Sequence, residues 1–480
     1  MGANIVSPTL LSAYLAVVCL VFTLKEGYAF GRTPTVESYT IQVSSLLRCS
    51  SCTSATKALD KKSSLQVVDK HGPCSQLYQD KANIPTHAQI LLQDEARVKS
   101  IHSKLAKDLG RSTNLDQTDA VSLPAKDGSV IGVGNYVVTV GLGTPKKDLT
   151  LIFDTGSHIT WTQCQPCATS CYKQQDPIFN PSLSSTYSNI SCTSPTCSSF
   201  TSATNNTPEC TSTACAYDIH YGDESFSVGI LAKDKLTLTP TDVIKDFLFG
   251  CGQNNQGFIG RAAGLIGLSR DKLSLTWQTA SKYNKFFSYC LPSSCSSTGF
   301  LSFGNGGVSK SVKFTTMSTI SQSPSFYGIN ITGISVGGQK LPISASVFSA
   351  AGAIIDSGTV ITRLPRKAYL ALRSEFRKLM SQYPMAQPDS KSILDTCYDF
   401  SNFSSVTLPA ISFTFSGSVE VQLDATGVFY VNNISLACLA FAGNKNVTDF
   451  GIFGNTQQKT LQVVYDVAGG KLGFATGGCT

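Results

Sequence analysis

Charge is scarce in this chain. Asp, Glu, Lys and Arg together make up 14% of its 480 residues, and only 4 Met, 2 Trp and 5 His occur. Gly, Ser and Thr are abundant instead, and turn signals recur at short intervals, a composition that favours an all-β protein over a helical one. Basic runs are missing as well. The formal net charge is +7, but residues 1–128 hold 14 Lys/Arg against 11 Asp/Glu, and no dense Lys/Arg run follows them. That removes the electrostatic footprint of a nucleic-acid binder, so no nucleic-acid partner is expected. Long apolar runs are absent too. The most apolar stretch, "LLSAYLAVVCLVFTL" (10–24), falls short of the roughly 20 residues that cross a bilayer comfortably. No hydrophobic tail accompanies the terminal "KLGFATGGCT", so no membrane or lipid anchor is expected.

What is present points to the secretory pathway. The apolar stretch precedes "KEGYAF", which offers a small-residue cleavage site near Ala29, and residues 1–29 read as a signal peptide. Its n-region lacks Lys and Arg, so an uncleaved anchor is the competing reading. A plastid transit peptide fits less well, since such segments are Arg- and Ser-rich without a compact apolar stretch. The 17 cysteines and six sequons (Asn189, Asn205, Asn330, Asn402, Asn433 and Asn446) agree with an oxidising compartment and glycosylation.

The length exceeds what one hydrophobic core usually serves, so two lobes are expected. Residues 30–128 differ in texture from the rest. They are charged, and Ile90, Leu91, Val98, Ile101 and Leu105 recur at helical spacing, with Gly110 as a stop. A charged, partly helical block between a leader and a β-rich body reads as a propeptide; a flexible extension is the alternative. From Gly134 short strands follow one another, interrupted by one clear helix expected over 366–383, between Pro365 and Pro384.

Two segments of the body echo each other. "LIFDTGS" carries Asp154, "AIIDSGT" carries Asp356, and each is followed later by an apolar pair with glycine, "GLIGL" and "GIFGN". A lone Asp-[Thr/Ser]-Gly triplet arises by chance in roughly one such chain in four, so the matching flanks carry the signal. They indicate duplicated lobes, each presenting one aspartate at a strand-to-turn junction. Gly156 and Gly358 let the backbone turn tightly beside the carboxylate. Thr155 and Ser357 can bridge the two loops, while Ser157 and Thr359 can orient the outer carboxylate oxygens. Two carboxylates held close share one proton, which suits one as base and the other as acid.

These motifs resemble the pepsin-like aspartic proteases over nearly all of residues 134–480. The resemblance is closest to the plant nepenthesin-type group and its chloroplast-nucleoid-DNA-binding-protease-like members. "GNYVVTVGLGTP", "FGCGQNNQGF", "GLIGLSRDKLSL" and "FSYCL" look like further signatures, and Cys164, Cys167, Cys171, Cys192, Cys197, Cys210 and Cys215 match that group's Cys-rich insertion. The resemblance implies an all-β, bilobal fold of two β-barrel-like lobes with a cleft between them and a few short helices. The N-terminal lobe would span 134–310 and the C-terminal lobe 326–480. Asp154 and Asp356 would be the catalytic dyad, with Tyr221 as flap tyrosine and Trp161 packing behind it. Gly156, Gly358 and Thr359 would face the substrate. Two departures stand out: Glu224 replaces a flap glycine, and His158 stands where the group often has Asp or Asn.

The resemblance implies a secreted aspartic endopeptidase made as a zymogen, without metal or cofactor, monomeric, and acting on proteins or peptides at acid pH. The apoplast is the expected destination, with vacuole or plastid as alternatives. A non-catalytic binder of glycoside hydrolases and a plastid nucleoid protein are the competing functions. Cys164, Cys167 and Cys171 could suggest zinc, but disulfides are the stronger expectation. Cys295 is the extra cysteine, free or paired with another molecule, and Cys397 with Cys438 is a plausible bridge. His158 is expected to be a surface turn residue.

Overall fold

A computed structural model describes residues 36–47, 51–53, 63–78, 86–108 and 136–479, the last with short gaps at 205–209, 212, 222–224, 258–259, 321–322 and 389–391. The expected signal peptide, Gly110, Asn205 and Glu224 lie outside the described residues. The described residues from Ser38 onward pack as one unit.

Strand is the dominant element, as the composition requires. Where one face of a strand is wet, the pattern alternates: Phe226–Thr239, "FSVGILAKDKLTLT", buries nearly every second residue. Where both faces are covered the run is continuous. Lys147–Asp154, "KDLTLIFD", starts exposed and is buried from Leu149 to its end.

The duplication seen in the motifs is a duplication of topology. In the N-terminal half, Lys147–Asp154 runs parallel to Gly264–Gly267, placing Asp154 beside Gly267. Trp161–Gln163 then pairs antiparallel with the same strand and parallel with Asp242–Gln256. In the C-terminal half, Ala353–Ile355 runs parallel to Gly451–Phe453, and Thr362–Leu364 pairs antiparallel with it and parallel with Phe441–Gly443. The register agrees residue for residue: Trp161 opposes Leu265, and Arg363 opposes Ile452.

Six strands form a continuous sheet behind the two halves. In spatial order they are Ser64–Asp69, Gly299–Phe303, Phe286–Cys290, Gln462–Asp466, Lys471–Ala475 and Lys313–Ser318. The first of these comes from the segment read as a propeptide, and its far end also pairs with Tyr136–Leu142. A second strand of that segment, Ser38–Gln42, pairs with Ser405–Pro409.

The helix expected over 366–383 spans Arg366–Leu379 and buries Ala368, Tyr369, Leu372 and Phe376 on one face. It ends four residues short of the expected 383. The chain turns to bury Met380 and Tyr383, whose hydroxyl accepts from the Thr407 N–H at 2.8 Å.

The body cysteines are bridged, not metal-bound: Cys164–Cys251, Cys167–Cys171, Cys192–Cys210, Cys197–Cys215, Cys290–Cys479 and Cys397–Cys438. Cys52–Cys74 closes a loop before the body. Cys295 departs from the expectation of a spare thiol, because it is disulfide-bonded. It lies where the Cys52–Cys74 loop docks: the Thr53 N–H donates to the Ser296 carbonyl at 2.9 Å, and a Cβ on Gly72 would collide with the Cys295 carbonyl.

Candidate functional site

The parallel pairings bring the ends of Lys147–Asp154 and Ala353–Ile355 to one point, and the two aspartates meet there. Asp154 and Asp356 are both buried. The loops lock by reciprocal bonds: the Thr155 N–H donates to Ser357 Oγ at 3.1 Å, and the Ser357 N–H to Thr155 Oγ1 at 2.9 Å. Each carboxylate is then dressed by its own loop. The Gly156 N–H donates to Asp154 Oδ1 at 2.9 Å and the Gly358 N–H to Asp356 Oδ1 at 3.2 Å. Ser157 Oγ donates a short bond to Asp154 Oδ2, and Thr359 Oγ1 donates to Asp356 Oδ2 at 2.6 Å. A Cβ on Gly156 would come within 2.9 Å of Asp356 Oδ1, and one on Gly358 within 2.5 Å of Asp154 Oδ1, so glycine keeps the space between the carboxylates open.

A third side chain fills that space. Helix α1, His87–Asp108, lies across the loops, and its start is fixed by a capping box: the Gln89 N–H donates to Thr86 Oγ1 at 3.2 Å, and the Thr86 N–H to Gln89 Oε1 at 2.8 Å. Arg97 of α1 reaches both aspartates. Its Nη2 lies 2.8 Å from Asp154 Oδ1 and 2.9 Å from Asp356 Oδ2, and its Nε donates to Asp356 Oδ2 at 3.1 Å. A single nitrogen thus bridges the two carboxylates. Burial and the neighbouring Asp356 charge push the Asp154 carboxyl above the usual carboxylate range, although Arg97 opposes them. Burial acts on Asp356 in the same direction, but Arg97 and the Thr359 hydroxyl outweigh it and hold Asp356 below that range. The pair is therefore asymmetric in proton affinity, as two close carboxylates must be.

Apolar contacts hold α1 in place. Leu91 packs with Val360, Ile361, Leu394, Ala440 and Ala442. Val98, Ile101 and Leu105 pack with Ile320, Phe326, Ile354, Phe450 and Ile452. Each such side chain contributes about 1.5–3 kcal/mol to docking. Polar contacts sit between them. Asp94 is buried and accepts from the Val360 and Ile361 N–H groups at 2.6 and 3.2 Å. Arg363 Nη2 lies 3.0 Å from Asp94 and 3.2 Å from Glu95, and Lys445 reaches Glu95 at 2.8 Å.

His158 is not the surface turn residue expected. Its Nε2 lies 3.1 Å from Lys104 Nζ of α1 and its Nδ1 3.0 Å from Ser269 Oγ. An ammonium can only donate, so Nε2 accepts and Nδ1 carries the proton toward Ser269. Burial, reinforced by the Lys104 charge, pushes the imidazole pKa down to about 3.

Of the other expected site residues, Trp161 is fully buried and its Nε1 donates to the Tyr221 hydroxyl at 2.8 Å. Tyr221 follows the strand Ala214–His220, and its N–H bonds to the Ser225 carbonyl across the turn at 2.8 Å. Arg97, Asp94 and Arg363 were missed. The signal was available: Asp94 interrupts the apolar series 91, 98, 101, 105 on the face that should be driest, and Arg363 stands seven residues after Asp356, as Trp161 does after Asp154. Among the described residues no cluster of His, Cys, Asp and Glu is placed to hold a metal ion, and no helix is long and apolar enough to cross a membrane.

Comparison with known proteins bears directly on this site. Residues 136–305 match the family described as xylanase inhibitor N-terminal, and residues 326–476 its C-terminal counterpart. An aspartyl protease family protein of Arabidopsis thaliana is 57% identical, covering 96% of this chain and 97% of its own. Aspartyl protease AED1 of the same plant is 52% identical over the same shares. Aspartic proteinase nepenthesin-1 of Nepenthes gracilis is 37% identical over 72% of this chain and 79% of its own. Among solved structures, basic 7S globulin from soybean has a TM-score of 0.56 at 18% identity, covering 71% of this chain and 91% of its own, a likeness of fold.

Proposed function

The chain belongs to the pepsin-like aspartic protease family of plants, and from that premise we propose that it is a secreted aspartic endopeptidase made as a zymogen. One observation carries the reading: Asp154 and Asp356 both reach a single nitrogen, at 2.8 and 2.9 Å, from loops that are related by duplication. A water molecule standing at that point, once α1 has left, would touch both carboxylates. The ionised member takes a proton from the water as its oxygen attacks the peptide carbonyl carbon, and the protonated member gives its proton to the carbonyl oxygen. The resulting gem-diol collapses when the amide nitrogen takes the proton of the protonated member, the C–N bond breaks, and a gem-diol hydroxyl gives its proton to the other carboxylate, so the pair again holds one proton. The Tyr221 turn, propped by Trp161, covers the cleft in this reading, and Gly156, Gly358 and Thr359 face the peptide backbone.

Residues 30–128 act as the propeptide, with Arg97 neutralising the dyad until acid and proteolysis remove α1. Secretion follows from the leader, the sequons and the cysteine use. The test is to incubate the purified full chain with casein at neutral and acid pH, with and without pepstatin, and to sequence any new N-terminus. The expected result is pepstatin-sensitive cleavage at acid pH, with a new N-terminus between α1 and Tyr136. Acid-treated chain that leaves casein intact would refute the reading.

One observation favours a second reading: the matching family is described by xylanase inhibition. A binder needs no paired carboxylates, however, and both loops here retain the groups that dress them. Inhibition of a xylanase by the Asp154→Asn chain, alongside the casein assay, separates the two readings.

A further inference from the structure

Two acidic residues of α1 end in a pocket of the C-terminal half, beside the dyad but separate from it. Asp94 satisfies two backbone donors, Val360 N–H at 2.6 Å and Ile361 N–H at 3.2 Å, and lies 3.0 Å from Arg363 Nη2. Glu95 approaches the same Nη2 at 3.2 Å and Lys445 Nζ at 2.8 Å. Among the described residues, every carboxylate on Arg363 therefore comes from α1. Its remaining hydrogen bond, Nη1 to the Ile361 carbonyl at 2.8 Å, is internal to the loop and holds the guanidinium facing the helix. The Arg363 side chain is only 3% exposed beneath that cover.

Removal of α1 leaves a preorganised set of donors without acceptors: one guanidinium and two adjacent N–H groups, walled by Val360, Ile361, Ala440 and Ala442. An arginine fixed this way matches a carboxylate far better than a neutral amide, and leaving it unpaired is unfavourable. We propose that Arg363, with the N–H groups of Val360 and Ile361, forms a carboxylate-binding subsite of the open cleft that receives an Asp or Glu side chain of the polypeptide substrate. Asp94 occupies it in the closed form as a built-in substitute. The proposal rests on the protease reading above.

The position of the subsite follows from α1 itself. Asp94 precedes Arg97 by three residues, about 4.5 Å along a helix axis. An extended peptide covers that distance in one or two residues at about 3.3 Å each. The acidic side chain thus belongs within about three residues of the bond cut. Lys445, 80% exposed at the rim, extends the positive character outward.

The test uses acid-activated enzyme and pairs of peptides that differ only as Glu versus Gln, or Asp versus Asn, at each position from three before to three after the cleaved bond. Assays run near pH 5, where peptide carboxylates are mostly ionised. The expected result is a kcat/KM ratio of acid to amide of about tenfold or more at one position, since a site built on charged donors rejects a substituent that cannot pair with them. Arg363→Gln should bring that ratio to about one, the loss falling on the acidic peptide. Arg363→Lys, which keeps the charge but not the fork, should leave an intermediate ratio. A wild-type enzyme that cuts every pair without regard to charge, or a preference that survives in Arg363→Gln, overturns the subsite alone. An enzyme that cuts none of the peptides overturns the protease reading and the subsite with it.

Discussion

The two aspartate loops match at the residues that dress the carboxylates and part sharply at the seventh residue after each aspartate. In both halves the aspartate ends a buried strand, a glycine N–H and a hydroxyl bind its carboxylate, and a short strand follows in matching register. The N-terminal half then places Trp161, sealed in the core with its indole N–H on Tyr221. The C-terminal half places Arg363, a nearly buried cation whose carboxylate partners, among the described residues, belong to α1. The shared part is what two carboxylates need in order to work as one group. The seventh residue does not touch the dyad, so it was free to become an apolar prop on one side and a charged receptor on the other.

Three sets of changes break or sharpen this comparison. The largest effect is expected at the shared positions. Asp154→Asn and Asp356→Asn should each lower kcat by about a thousandfold or more, and the double variant should be little worse than either, because the pair acts as a unit. Additive losses in steady-state assays would mean that the halves act separately.

The next effect concerns closure. Glu95 is held below its ordinary 4.5 because Arg363 and Lys445 outweigh the effect of its burial. It therefore binds fewer protons with α1 docked than without it. It favours docking above that ordinary value, and the support is lost as pH falls through the lowered one. Asp94 works the other way: burial raises its carboxyl, so its docked form takes up a proton above the ordinary 3.8. Glu95→Gln should accordingly raise the pH at which α1 releases by a few tenths of a unit, and Arg97→Gln should raise it further. Pepstatin binding measured across a pH series reads both midpoints, and an unchanged midpoint in both variants would remove α1 from the control of the site.

The smallest effect lies on the apolar side. Tyr221→Phe removes the acceptor of the Trp161 N–H and should cost about 1–3 kcal/mol of stability, read by urea denaturation at neutral pH. A neutral outcome would show that the prop needs only shape.

Legibility in the sequence followed distance along the chain. Asp154 and Asp356 could be read because their signal is a pattern repeated locally, and the helix from Arg366 because its prolines bound it. The strand Ser64–Asp69 could not be read. It buries Ser64, Leu65, Val67 and Val68 with no clean alternation, and its partner Gly299–Phe303 lies more than two hundred residues away. His158 misled for the same reason, since Lys104, which sets its state, arrives from another element. Arg97 and Arg363 were visible as residues but not as partners, because a cation inside an apolar pattern gains meaning only when the carboxylates opposite it are known.

The strand Ser64–Asp69 also governs what a cut can accomplish. Its first four residues pair with Gly299–Phe303 and its last two with Tyr136–Leu142. A nick anywhere between α1 and Tyr136 severs the connection and leaves this seam sewn. The immediate product is then two polypeptides that travel together in native conditions and separate only in denaturant with a reductant, since Cys295 is disulfide-bonded and every other cysteine without a named partner precedes α1. Maturation on this view has two stages, the breaking of one peptide bond and the slower unpicking of a sheet.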